Sequence, residues 1–384
     1  MEDTLSLESK LPDVGTTIFS VMSALAQEHN ALNLSQGFPD FPVSPELIDR
    51  IHYWMKQGAN QYAPMPGLPA LRQQIAKKCS DAYNHHFDAD QHITVTPGGT
   101  AALYAAIAAV IRQGEEVIVI EPAYDSYAPA IRLNGGIPVP IGLRKSDFKV
   151  DWQKVEAAIT DNTRMIIINT PHNPTGSILQ LEDLEQLASL VRGKDIFILS
   201  DEVYEHIIFD GEPHQSVLAH AELREKSMAV FSFGKTFHAT GWKTGYVVAP
   251  AYLTKEIRKV HQFMVFSVNT PLQFALADYL QEPKNYQSLP AFYQQKRDLF
   301  QQLVKPSRFQ IVPCKGTYFQ LLSYKQISDL PDTEMAEWLT KEHKLASIPI
   351  SVFFSDKRQD SVLRFCFAKS DETLQKAAEI LCKI

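Results

Sequence analysis

The middle of this 384-residue chain alternates short, continuously apolar runs with helical stretches, and that alternation limits the fold more than any other feature. EVIVIE (116–121), RMIIIN (164–169), DIFILS (195–200), MAVFS (228–232) and GYVVA (245–249) show no polar alternation. A strand reads this way when helices cover both faces of its sheet. The segments between them, such as LEDLEQLASLVRG (181–193) with its closing glycine, carry 3.6-residue periodicity. The expectation is an α/β chain with a largely parallel sheet.

The two flanks differ from this core. Residues 1–43 hold one predicted helix (18–26) and the Gly/Pro-rich stretch QGFPDFP. Beyond residue 280 come a long helix (289–304), strands at TYFQLL (317–322) and VLRFCF (362–367), and a final helix. The division that follows is a large domain over 44–280 and a smaller α+β domain from 281–384 completed by 1–43.

Bulk properties narrow the function. The formal net charge is −7 and no segment concentrates basic residues, which argues against nucleic acid. Cys79, Cys314, Cys366 and Cys382 are scattered without metal-ligand spacing, as reduced thiols of a cytoplasmic protein would be, and no metal site is expected. The first fifteen residues are acidic and polar, so no secretory leader is expected. The most apolar stretch, 100–111, falls well short of the ~20 residues that cross a bilayer.

Four constellations fall at expected strand ends, where open α/β sheets bind ligands. In TPGGTAALYAAI (96–107) the free N–H groups of Gly99, Thr100 and Ala101 could hold a phosphate, although Gly-Gly before a helix is more often a plain turn. In NTPHNPTG (169–176) the amide of Asn173 is either a ligand contact or a turn asparagine. In LSDEVYEHIIF (199–209) Asp201 leaves a buried strand, and a buried acid requires a partner from the protein or from a ligand. In FSFGKTFHATGWKTGY (231–246) Lys235 lies among Gly, Ser, Thr, Phe and Trp rather than among surface residues. A phosphate cradle, a buried acid, an amide and a sequestered lysine are together the parts that pyridoxal 5′-phosphate (PLP) requires.

With LSQGFPDFP (34–42), NQYAPMPGLPALR (60–72) and LRFCF (363–367) added, the chain resembles the fold-type I PLP-dependent aminotransferases over nearly its whole length. The likeness is greatest to the branch of methionine, kynurenine–oxoglutarate and glutamine–phenylpyruvate transaminases. The resemblance implies a mainly parallel seven-stranded sheet flanked by helices, plus the smaller α+β domain. It makes Lys235 the Schiff-base lysine and Asp201 the partner of the pyridine nitrogen. Asn173 and Tyr204 would bond the ring hydroxyl, and Tyr124 would stack on the ring. Gly99, Thr100, Ser232 and Lys243 would bind the phosphate, with Tyr62 reaching in from a second subunit of a homodimer. Arg364 would hold the substrate carboxylate, helped by Asn173 and Gly37, with Phe19, Tyr124 and Phe266 as side-chain walls. Many relatives carry arginine at the position of Lys243, and relatives in this branch often carry histidine at that of Ser267.

The function so implied is ping-pong transfer of an amino group from methionine and other sizeable neutral or aromatic amino acids to a 2-oxo acid. A PLP-dependent C–S β-lyase would use the same lysine and is the alternative reading. A PLP-binding regulatory module is a remote one, since the chain carries no basic DNA-binding arm.

Overall fold

The computed structural model describes residues 7–384; the first six residues of the acidic N-terminal stretch lie outside it. Seven strands form the large sheet: β1 (Ile93–Thr96), β2 (Glu116–Glu121), β3 (Ile137–Gly142), β4 (Thr163–Asn169), β5 (Phe197–Asp201), β6 (Ser227–Ser232) and β7 (Gly245–Val248). Their spatial order is β1-β7-β6-β5-β4-β2-β3. Neighbours from β6 through β3 pair in parallel, while β7 runs antiparallel to both β1 and β6.

The apolar runs conceal a two-residue alternation. Val117, Val119, Met165, Ile167, Leu199, Val230 and Val247 join one core cluster, with helices Gly99–Val110 and Ala251–Met264 over it. Ile118, Ile120, Ile166, Ile168, Ile198, Phe231 and Tyr246 join another core on the opposite face. Both faces are therefore apolar, as covered parallel strands demand.

Strand β3, IPVPIG, carries no such signal and was not expected. It is the sheet edge and is only half-buried. Ile137 and Leu143 donate their N–H groups toward β2, so Pro138 and Pro140, of the opposite parity, put their ring nitrogens on the outer side. An edge strand tolerates proline there because no ladder hydrogen bond is lost.

A second, antiparallel sheet has four strands: β8 (Gln310–Ile311), β9 (Phe319–Ser323), β10 (Ile348–Pro349) and β11 (Val362–Cys366), in the order β10-β11-β9-β8. Helix Leu289–Val304 packs against helix Asp371–Leu381 beside it. The N-terminal segment ties into this region, with Leu32–Asn33 pairing in parallel with Leu345–Ala346.

The consequence for the site is geometric. The carboxyl ends of β1, β2, β4, β5 and β6 open on one edge of the large sheet. Because β7 is antiparallel, its start, with Lys243 and Thr244 just before it, lies on that same edge.

Candidate active site

Along that edge lies a cavity of about 280 Å³, lined also by Phe319 and Arg364 of the second sheet and by Gln36 and Gly37. Its wall includes Phe19, Gly37, Gly99, Thr100, Tyr124, Asn173, Asp201, Tyr204, Ser232, Lys235, Lys243 and Arg364. Three site residues expected from the sequence lie outside it. Ala101 sits on the first turn of its helix behind the wall. Tyr62 and Phe266 lie on the outer surface, 82% and 50% exposed, with their rings edge to face at 5.3 Å. Phe266 is thus not a wall of its own chain's cavity. Ser267 beside it donates from its hydroxyl to the Ala63 carbonyl.

The cradle at the end of β1 is built by backbone. Gly98 takes φ +90°, a conformation side chains resist, and turns the chain straight into helix Gly99–Val110. The first N–H groups of a helix have no partner within it, and Gly99 and Thr100, which begin this one, line the cavity together with Ser232 and Lys243. The Thr100 hydroxyl lies 3.3 Å from the Tyr124 hydroxyl.

Asp201 closes β5 and is buried. One carboxylate oxygen accepts from the Tyr127 hydroxyl at 2.5 Å, the other from the Val203 N–H at 3.4 Å. No cation among the described residues lies within ion-pair distance, and burial pushes the carboxyl up to about 6. A buried acid held by neutral donors is a site for a cation that the protein itself does not supply.

Lys235 follows β6. Its Nζ donates to the Tyr318 hydroxyl at 2.8 Å and to the Gly37 carbonyl at 3.0 Å. Burial, with Arg364 and Lys243 nearby, brings the amine down to about 8, so a usable fraction is neutral near physiological pH.

Arg364, in the middle of β11, is fully buried. Nη1 donates to Asn173 Oδ1 at 2.8 Å and Nη2 to the Ser35 carbonyl at 2.9 Å, while Nε has no partner. The guanidinium lies 3.9 Å from the Phe319 ring centre and 5.3 Å from that of Phe19. Its hydrogen-bond partners are neutral and the charge of Asp125 acts on it only from beyond ion-pair distance, so burial lowers it to about 10. Such a group is open to a carboxylate, which it can bind in a two-pronged fork. Gly37 crosses so close to Phe319 that a Cβ there would stand 2.8 Å from the ring.

Sequence reasoning missed several contributors. Tyr127 stands three residues after Tyr124 in EPAYDSY, and that one-turn spacing was the available signal. Asn169 is the polar last residue of an apolar strand; its side chain bonds the Asp201 carbonyl and the Asn173 N–H. Tyr318 sits beside a buried strand and had no signal, because tyrosine there reads as core.

The residues present fit PLP. An uncompensated buried carboxylate, a lysine with a lowered pKa and a helix-terminal cradle face one cavity, and an arginine without an anion stands at its other end. A fold of this kind with such a cavity defines a protein built to hold an amine-capturing cofactor together with a carboxylate-bearing substrate. The chain belongs to the family described as aminotransferase class I and II, whose profile matches residues 29–381. It is 55% identical over 375 residues to the methionine aminotransferase of Escherichia coli K12, covering 97% of each chain. It is 34% identical to the kynurenine–oxoglutarate transaminase of Dictyostelium discoideum, covering 100% of this chain and 98% of that one. Among solved structures, the E. coli protein YbdL, reported as having a methionine aminotransferase function, superposes with a TM-score of 0.97 at 54% identity, covering 99% of this chain and all of that one.

Proposed function

We propose that this protein is a PLP-dependent aminotransferase that takes methionine and other sizeable neutral or aromatic amino acids as donors and a 2-oxo acid as acceptor. The observation that carries the reading is the meeting of Asp201, Lys235 and Arg364 in one cavity, with neither Asp201 nor Arg364 in an ion pair.

Bound there, PLP supplies an aldehyde for capturing amines and a pyridinium ring that draws electrons from a substrate's α-carbon. Lys235 would hold it covalently and, once displaced, carry the α-proton, a task for which its lowered pKa suits it. Asp201 would keep the ring nitrogen protonated, its charge becoming favourable once a cation lies beside it. Asn173 and Tyr204 would bond the ring hydroxyl, and Tyr124 would cover the ring. Gly99, Thr100, Ser232 and Lys243 would take the phosphate. Arg364 would orient the substrate by its α-carboxylate, and Asn173 already holds one of its nitrogens in place. One site serves both half-reactions in turn, hence ping-pong kinetics.

The donor preference follows from charge. With Arg364 occupied by the α-carboxylate, the cavity residues Phe19 and Tyr124 would face the side chain, and neither can pair with a second carboxylate. An unpaired carboxylate against such walls loses hydration worth several kcal/mol, whereas a thioether gains contacts with the rings. The name of the 55% identical relative supports methionine in particular.

The same reading makes the active unit a cytoplasmic homodimer. Tyr62 and Phe266, exposed on their own protomer, would serve a neighbour's site. No helix among the described residues is long and apolar enough to cross a membrane.

Comparison of kcat/KM for methionine and aspartate with a common 2-oxo acid tests the reading, methionine being favoured by at least about tenfold, or roughly 1.4 kcal/mol. Equal values would overturn the donor assignment. Borohydride reduction and peptide mapping should place PLP on Lys235, and an adduct elsewhere would overturn the cofactor assignment.

A further inference from the structure

We propose that Tyr318 is a positioning residue which, with the Gly37 carbonyl, holds the free Lys235 amine so that its lone pair faces the cavity. The inference rests on the reading of Lys235 as the lysine that captures PLP.

Tyr318 is fully buried just before β9. The backbone around it is pinned on both sides. Thr317, at φ +64°, donates its N–H to the Ile207 carbonyl, and the Tyr318 carbonyl accepts from the Phe367 N–H. Its ring packs against Tyr204, Phe319 and Tyr293, with centres 5.2, 4.9 and 5.7 Å away. The hydroxyl therefore has one available position.

The Tyr318 hydroxyl donates to the Gly37 carbonyl at 2.5 Å, with the Tyr204 hydroxyl a further hydrogen-bonding neighbour. Toward Lys235, 2.8 Å away, the phenol oxygen is then an acceptor. Burial keeps the phenol neutral by raising its pKa well above the ordinary value. A neutral amine has two hydrogens and one lone pair. One hydrogen goes to Tyr318 and the other to Gly37, so the lone pair takes the remaining direction, into the cavity that Lys235 lines.

That orientation suits condensation with an aldehyde. The lone pair forms the new C–N bond, the aldehyde oxygen leaves as water with the two amine hydrogens, and a C=N bond remains. Without the phenol oxygen one N–H loses its partner, and the amine is free to rotate its lone pair away.

The test uses the cofactor-free protein mixed with PLP. Adduct formation is followed by absorbance from pH 6 to 10 and located by borohydride reduction and peptide mapping. In the wild type the rate rises as the amine becomes neutral and then levels. Tyr318→Phe keeps every ring contact and should lower the plateau by about fivefold, the loss of one hydrogen bond. It should also move the midpoint to lower pH, because an acceptor that stabilised the ammonium form is gone. Tyr293→Phe is the control. It removes a buried hydroxyl without a partner from the same aromatic cluster and should leave plateau and midpoint unchanged. An unchanged Tyr318→Phe profile overturns the inference, as does an equal shift in Tyr293→Phe. Wild-type protein that puts no PLP on Lys235 overturns the cofactor reading together with it.

Discussion

Two buried carboxylates four residues apart, Asp201 and Glu205 in SDEVYEH, have opposite surroundings. Glu205 belongs to a closed network. Lys78 Nζ lies 2.6 Å from one of its oxygens, Tyr83 donates to the other at 3.2 Å, and Tyr246 also contacts the lysine. Burial would raise Glu205, but Lys78 more than offsets it and holds the carboxyl down at about 2. Asp201 has only neutral donors, and burial wins, lifting it to about 6. Arg364 mirrors Asp201 with the opposite sign: its hydrogen-bond acceptors are neutral and Asp125 lies beyond ion-pair distance. A buried charge that the protein pairs internally is architecture; one left without a counter-ion and facing a cavity is complementary to a ligand.

Substitutions can break this contrast. The largest loss of activity is expected from Arg364→Lys, which cannot make the two-pronged contact. We expect kcat/KM to fall on the order of 10²–10³-fold, matching the roughly 2–5 kcal/mol lost with a buried charged partner. PLP should still load, and an activity within threefold of wild type would place the carboxylate site elsewhere. Asp201→Asn comes next. PLP should remain attached while kcat falls more than about tenfold, roughly 1.4 kcal/mol of barrier. A smaller loss would make Asp201 a structural partner like Glu205.

Glu205→Gln should do the reverse. It strands the buried Lys78 ammonium and should cost about 3–5 kcal/mol of stability in denaturant unfolding. The kcat of the folded fraction should stay within a few-fold of wild type. A loss of kcat comparable to that of Asp201→Asn would erase the distinction between the two networks.

The smallest effect is on pH dependence, where the two acids should diverge. Glu205 is depressed from 4.5 to about 2, so its stabilisation is present above pH 4.5 and is lost as pH falls through 2. Asp201 is raised from 3.8 to about 6, so its contribution is present below 3.8 and is lost as pH rises through 6. Cofactor-free Asp201→Asn should therefore gain melting temperature relative to wild type between pH 4 and 7. PLP loading should shrink that gain by supplying the cation. A gap independent of pH and of PLP would contradict the assigned environment.

The α/β class, most of the buried strands, and the lysine, acid and amide worth watching were legible in the chain, whereas Arg364 came only with the family resemblance. Apolar runs such as EVIVIE and the chemistry of isolated residue types are local signals. Edge strand β3 was not legible, because half-burial and alternate prolines erase the pattern that marks a covered strand. Nor were Tyr127 and Tyr318, since nothing local distinguishes a tyrosine packed in a core from one whose hydroxyl completes a site. Charge pairing was equally hidden: Asp201 and Glu205 are both acids in one short apolar segment, and only the long-range placement of Lys78, 127 residues away from Glu205, separates them. Residue identity sets which groups can carry charge. Packing between distant segments sets which of those charges already has a partner, and the ones left without are where a ligand belongs.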